Sequence, residues 1–121
     1  MGRRRLIVVA LALLAAGCGP TPPQAPGPQA HQLNMALSQI STACGHASQV
    51  QAFTNDKRSM TILERQAGSQ VPAIARVYRQ NPGWIFQGKT VAELVRMSRT
   101  FLDACGLHGA ERRLERATSS K

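Results

Sequence analysis

From Leu33 onward the apolar side chains of this chain recur at intervals of three and four, and no run of strand-type alternation competes with them. That periodicity confines the folded part to helices packed on one another. Leu33, Leu37, Ile40, Cys44, Ala47 and Val50 share one face with Ala36 and Ala43, which predicts a helix over residues 31–53. Gly45 inside it costs up to about 1 kcal/mol relative to alanine. Close approach of a neighbouring helix beside Cys44 is its simplest justification.

After Thr54 or Asn55, either of which can cap a helix, Met60, Leu63, Ala67, Val71, Ile74, Val77 and Tyr78 again fall on one side. Their phase runs straight through Gly68 and Pro72. A proline inside a helix loses one backbone bond and clashes with the carbonyl four residues back, here that of Gly68. The unbroken phase favours one helix over 56–80, kinked near Gly68; the alternative is a split, with Ser69 capping a fresh start that places Pro72 in its first turn. Asn81-Pro82-Gly83 then reverses the chain.

Thr90 followed by Glu93 forms a capping box, and Val91, Leu94, Val95, Ser98, Phe101, Leu102 and Cys105 give a third inner face. Gly106 is placed to take the left-handed conformation past the helix end, with Leu107 folding back onto Leu102. Beyond it almost every residue is charged or small, which predicts a short frayed helix around Glu111 to Ala117 in a charged tail. The expected fold class is all-α: a small antiparallel three-helix bundle over 31–107, followed by a C-terminal tail over 108–121.

The first thirty residues have a different character. Arg3, Arg4 and Arg5 precede an apolar run from Leu6 to Ala16, which ends in Ala15-Ala16-Gly17-Cys18. A basic head, a short apolar core and small residues before a cysteine have the layout of an export signal, and the core is well short of the roughly 20 residues a spanning helix needs. Residues 1–18 resemble the lipobox of bacterial lipoproteins, although Ala15 stands where that family usually carries leucine. The resemblance implies a signal peptide over 1–17, cleavage before Cys18, and lipid on its sulfur and usually on its new amino group. It implies a protein anchored in the cell membrane or outer membrane, facing the periplasm or the cell exterior. Residues 19–30 hold five prolines and no charged side chain, so the segment 18–30 reads as the lipidated cysteine and an extended tether of up to ~35 Å.

With Cys18 lipidated, Cys44 and Cys105 remain as an even pair in an oxidising compartment. A domain this small needs a staple, and a bond between them closes a loop worth roughly 4 kcal/mol in the chain-entropy model. A metal site drawing on Cys44, His46, Cys105 and His108 lacks the paired-cysteine knuckle of zinc sites, and a haem-attachment run is absent. No cofactor is expected. His46 stands two residues from Cys44, an interval that separates side chains on a helix, and no acidic pair, phosphate loop or serine elbow suggests an enzyme.

The chain carries 15 Lys plus Arg against 6 Asp plus Glu, and with the three arginines of the leader removed the surplus is still six. Such a balance keeps a small protein soluble and favours anionic neighbours. On a continuous second helix Arg58, Arg65 and Arg76 would line up within about 20°, with Arg79 close by. That stripe reads either as a solvated outer face or as a contact for an anionic polymer or membrane. Trp84 and Phe86 bring unusual apolar bulk to a connection, either as a plug for the bundle end or as a partner-binding spot. Nucleic acid is not expected, since aromatic side chains are few. The resulting expectation is a non-enzymatic envelope lipoprotein that binds or scaffolds an envelope protein or anionic polymer; the alternative is an apolar-ligand or lipid-binding domain.

Overall fold

A computed structural model describes residues 23–119; Cys18 and the signal segment lie outside the described residues. The described chain is mostly helical. Five helices are present among these residues: α1 (Gly27–Phe53), α2 (Lys57–Gly68), α3 (Val71–Gln80), α4 (Val91–Ala104) and α5 (His108–Ser119). Between α3 and α4 lies a two-residue hairpin, β1 (Ile85–Phe86) antiparallel to β2 (Lys89–Thr90), which strand-type alternation was too short to announce.

The chain runs up and down four times, with α2 and α3 sharing one rod. Side-chain bonds mark the ends: Gln29 on α1 meets Gln80 on α3, and Gln51 near the other end of α1 donates to the Cys105 carbonyl past α4. Arg79 at the end of α3 donates to the Ala117 carbonyl near the end of α5. The expected three-helix bundle is therefore corrected to four rods. The fourth is α5, in which the short frayed helix expected around Glu111 to Ala117 is extended to His108–Ser119 and packed into the bundle rather than left in a charged tail. Its residues Ala110 and Leu114 are buried in the same cluster as Ile40, Ile74 and Leu102. Burial of a complete leucine side chain outweighs the solvation of the charges around it, which point outward from the same helix.

The second rod settles the choice left by Pro72. The helix breaks at Ser69 and Gln70, and Pro72 sits in the first turn of α3, where its missing N–H leaves nothing unpaired. Both linking residues keep near-helical angles, so the buried face passes from Leu63 and Ala67 to Val71, Ile74 and Val77 without losing phase. Ser69 does not cap α3. Its hydroxyl donates to the Gln66 carbonyl. At the start of α2 the cap is Asp56 rather than Thr54 or Asn55: its carboxylate accepts from the Arg58 N–H and the Ser59 hydroxyl, while Asn55 makes the turn at positive φ. The Ser59 bond, then that from the Arg58 N–H, holds the Asp56 carboxyl below its ordinary range.

Helix α4 is delimited as its residues predict. Thr90 and Glu93 exchange the two bonds of the capping box, and the bond from the Thr90 N–H is the main cause lowering the Glu93 pKa. At the other end Leu107 N–H reaches the Leu102 carbonyl and Gly106 N–H the Asp103 carbonyl, the paired bonds of a Schellman turn, with Gly106 at φ +86°. The disulfide between Cys44 and Cys105 joins α1 to this turn, with their Cα atoms 5.4 Å apart. Gly45 departs from expectation. It is exposed, and a Cβ there would meet nothing within 4 Å, so no close helix approach accounts for it.

The amino-terminal side is tied down earlier than a tether over 18–30 would be. Ile85 N–H donates to the Pro23 carbonyl and Ala25 N–H to the Ile85 carbonyl, adding a short parallel bridge to the hairpin before α1 begins at Gly27.

Candidate functional site

The arginines proposed from the second helix separate once that rod is broken. Arg58 and Arg65 lie on α2, Arg76 and Arg79 on α3, and all four are exposed. Arg79 is engaged with the end of α5. Arg65 alone joins a concave feature, a groove of about 500 Å³ between α2 and α5, where it is met by Arg112, Arg113 and Arg116. In the sequence those three fall on the short helix expected within the charged tail. The signal that could have found them is the spacing of Leu107, Ala110, Leu114 and Ala117, an apolar face at helical intervals that turns the arginines between them toward one side.

The groove is shaped by glycines and a carboxylate. Gly68 closes α2, and a Cβ there would fall 2.9 Å from the Arg113 Nη1, so the guanidinium lies over bare backbone. Gly109 opens α5 in similar fashion against Glu64. The Glu64 carboxylate accepts from the Gly109 N–H at 2.9 Å and from the Ala110 N–H at 2.8 Å, which satisfies two of the orphan donors of α5 from a helix 45 residues away. Glu64 is the one acid lining the groove; against it stand four guanidinium groups.

The acids of α5 itself face elsewhere. Glu111 and Glu115 both bind Arg99 on α4, at 2.8 and 2.9 Å, and the Glu111 bond chiefly raises the Arg99 pKa. Helix α5 therefore sorts its charges, with carboxylates toward α4 and guanidiniums toward α2. Among the described residues no carboxylate comes within ion-pair distance of Arg65, Arg112, Arg113 or Arg116.

Trp84 and Phe86 are brought together at the end of the bundle beside the docked amino-terminal segment. Phe86 is buried with Leu33, Val77, Val91 and Leu94, and the half-buried Trp84 packs against that cluster. Of the two readings open to it, Phe86 thus sits where a plug of the bundle end would. It stands 50 residues or more from Leu33 in sequence, so only the closed fold reveals its burial. An exposed apolar strip appears instead between α1 and α4, where Met97 and Phe101 are 50% and 47% exposed beside Leu37, Ile40 and Leu94.

The disulfide occupies both Cys44 and Cys105, which removes their thiolates from any nucleophilic or metal-binding role while it stands. His46 is exposed, and His108 Nδ1 lies 2.8 Å from Asp103 on the surface. The geometry thus offers a concave basic surface built from two helices, of a kind whose guanidinium groups can accept negative charge. No family model, no curated protein and no solved structure matches this chain.

Proposed function

We propose that this chain is a non-enzymatic lipoprotein of the bacterial cell envelope, held at a membrane through lipid on Cys18, whose helical domain binds an anionic envelope component. The observation that carries the binding reading is the convergence of Arg65, Arg112, Arg113 and Arg116 on one groove without a matching set of acids. Guanidinium groups present planar forks of donors suited to oxyanions, and four of them from two helices form a surface that repels itself until an anion arrives.

The docked segment sharpens the anchoring. With the chain fixed at Pro23, only residues 19–22 separate Cys18 from the domain, a reach of at most about 18 Å. The domain sits against the headgroups, with the Trp84 end toward the bilayer. Tryptophan suits that interface, where an apolar ring meets a wet boundary. Cys18→Ser should shift the protein from the membrane fraction to precursor or soluble material; wild-type protein that is unmodified and soluble would defeat the anchor. Cross-linking in whole cells should trap an envelope partner, and Arg112→Gln with Arg113→Gln should lower its yield.

A second reading, an apolar-ligand or lipid-binding domain, draws on the exposed strip of Met97 and Phe101. Native mass spectrometry of the purified protein decides it. A co-purifying apolar ligand lost on Phe101→Ser would favour it over the anionic reading.

A further inference from the structure

We infer that the α2/α5 groove is a site for a phosphoryl dianion, a phosphomonoester or pyrophosphate group, an assignment that rests on reading this domain as a binder of anions. The charge of the lining sets the valence. Four guanidinium groups against the single Glu64 carboxylate leave a surplus of three, so a monoanion would leave most of the repulsion in place. A dianionic or trianionic group nearly neutralises it.

Geometry separates phosphoryl oxygens from carboxylate oxygens. A carboxylate offers two oxygens in one plane, enough for one guanidinium fork. A tetrahedral phosphoryl group offers oxygens in several directions and can meet forks arriving from opposite walls. Here Arg65 comes from α2, while Arg112, Arg113 and Arg116 come from α5. The one carboxylate that could compete, Glu64, is turned to the Gly109 and Ala110 N–H groups and so fills the start of α5 from within the protein. A ligand is therefore held by the guanidiniums rather than by the helix terminus. Gly68 deepens the pocket beneath Arg113, since any side chain there would push against Nη1.

Charge sorting on α5 favours a site over a merely solvated face. Arg112 and Arg116 are four residues apart, an interval at which like charges on a helix destabilise it by a few tenths of a kcal/mol. Glu111 and Glu115 on the same helix could have relieved this, yet both are drawn to Arg99 on the opposite side. The fold keeps the arginine cluster unneutralised.

The experiment uses the full chain, purified from membranes in detergent, and isothermal titration with inorganic pyrophosphate, then citrate as a carboxylate probe of similar charge. Pyrophosphate should bind saturably and citrate at least about tenfold more weakly. The variant Arg113→Gln/Arg116→Gln should weaken pyrophosphate about tenfold or more, while the charge-matched variant Arg58→Gln/Arg76→Gln stays near wild type. If the groove variant loses its helical circular dichroism, Gly68→Ala replaces it, because it removes no charge and displaces only Arg113; weakened binding there supports the site.

Two further arms identify the source of the phosphoryl group. Phosphatidylcholine vesicles are doped with phosphatidic acid, a monoester, or with phosphatidylglycerol, a diester, at matched surface charge. Preference for the monoester vesicles, abolished by pyrophosphate, assigns a lipid headgroup; pyrophosphate binding without that preference assigns a soluble phosphorylated ligand. Absence of saturable pyrophosphate binding, equal binding of citrate, or equal losses in the two double variants would overturn the inference. Because titration of purified protein does not depend on where the cell places it, this result is separate from that of the Cys18→Ser fractionation.

Discussion

Helices α4 and α5 are neighbours of similar length, and they are held at their ends in opposite ways. Everything that starts and stops α4 lies within a few residues of it: Thr90 and Glu93 at one end, Gly106 and Leu107 at the other. Helix α5 has its first N–H groups satisfied by Glu64 from α2, and its buried side chains find their partners on three other helices. A helix of the first kind is specified locally and positioned afterwards. A helix of the second kind is stable only once the rest of the bundle exists, because short isolated helices are marginal in water.

The largest test of this contrast concerns the covalent tie at the end of α4. Reduction of the Cys44–Cys105 bond, which closes a loop spanning a sequence separation of 61, should cost roughly 4 kcal/mol in denaturant unfolding. Cys44→Ala and Cys105→Ala should each cost about the same, and the double variant no more than either, since one bond is lost each time. Two thiols open to alkylation in the native protein would break the prediction.

Leu114→Ala comes next. If α5 is a true fourth rod, truncating this fully buried leucine should cost about 2–5 kcal/mol; a peripheral tail would show almost no change in the denaturation midpoint.

The two kinds of cap can be compared directly. Thr90→Ala should cost about 1 kcal/mol and act on α4 alone, whereas Glu64→Ala should cost about 1–2 kcal/mol and raise amide exchange in α5 although the substitution lies in α2. Glu64→Gln keeps an acceptor and should recover part of the loss. Acid separates the caps further. Glu93 and Asp56 have folded pKa values below their ordinary ones, so their contribution is complete above the ordinary carboxylate range and fades as pH falls through the lowered folded values. A pH titration of thermal unfolding should show that loss, and Glu93→Gln should flatten part of it.

The smallest effect has the opposite sign. Gly45 is helical and exposed with open space around its Cα, so Gly45→Ala should stabilise α1 by about 0.5–1 kcal/mol, read as a rise in the melting temperature. A fall would reveal a constraint on this position that the bundle does not contain.

How much was legible follows the same division. The apolar faces of α1 and of the α2–α3 rod could be read from spacing, because Leu33, Ile40, Ala47, Leu63, Ile74 and Val77 repeat at the helical period whatever they pack against. The pairing of Cys44 with Cys105 was legible by arithmetic once Cys18 was set aside. The arginine groove was not. Arg65 and Arg113 are 48 positions apart, and although the spacing of Leu107, Ala110, Leu114 and Ala117 marks a helical face, nothing local says which helix that face meets. Phe86 was ambiguous for a related reason, since an aromatic side chain in a connection gives no sign of which surface receives it.

The sequence by itself determined the helical class, the ends of α4, the reversal at Asn81-Pro82-Gly83 and the cysteines available for bonding, because each depends on covalent geometry or on bonds within one turn. Only the tertiary structure decided that α5 belongs to the core, that α2 and α3 break while keeping one face, that Pro23 to Ala25 is docked on the hairpin, and that four arginines share a groove. Those outcomes depend on which buried surfaces meet across tens of residues, and the free energy of that meeting is a property of the closed bundle, not of any segment within it.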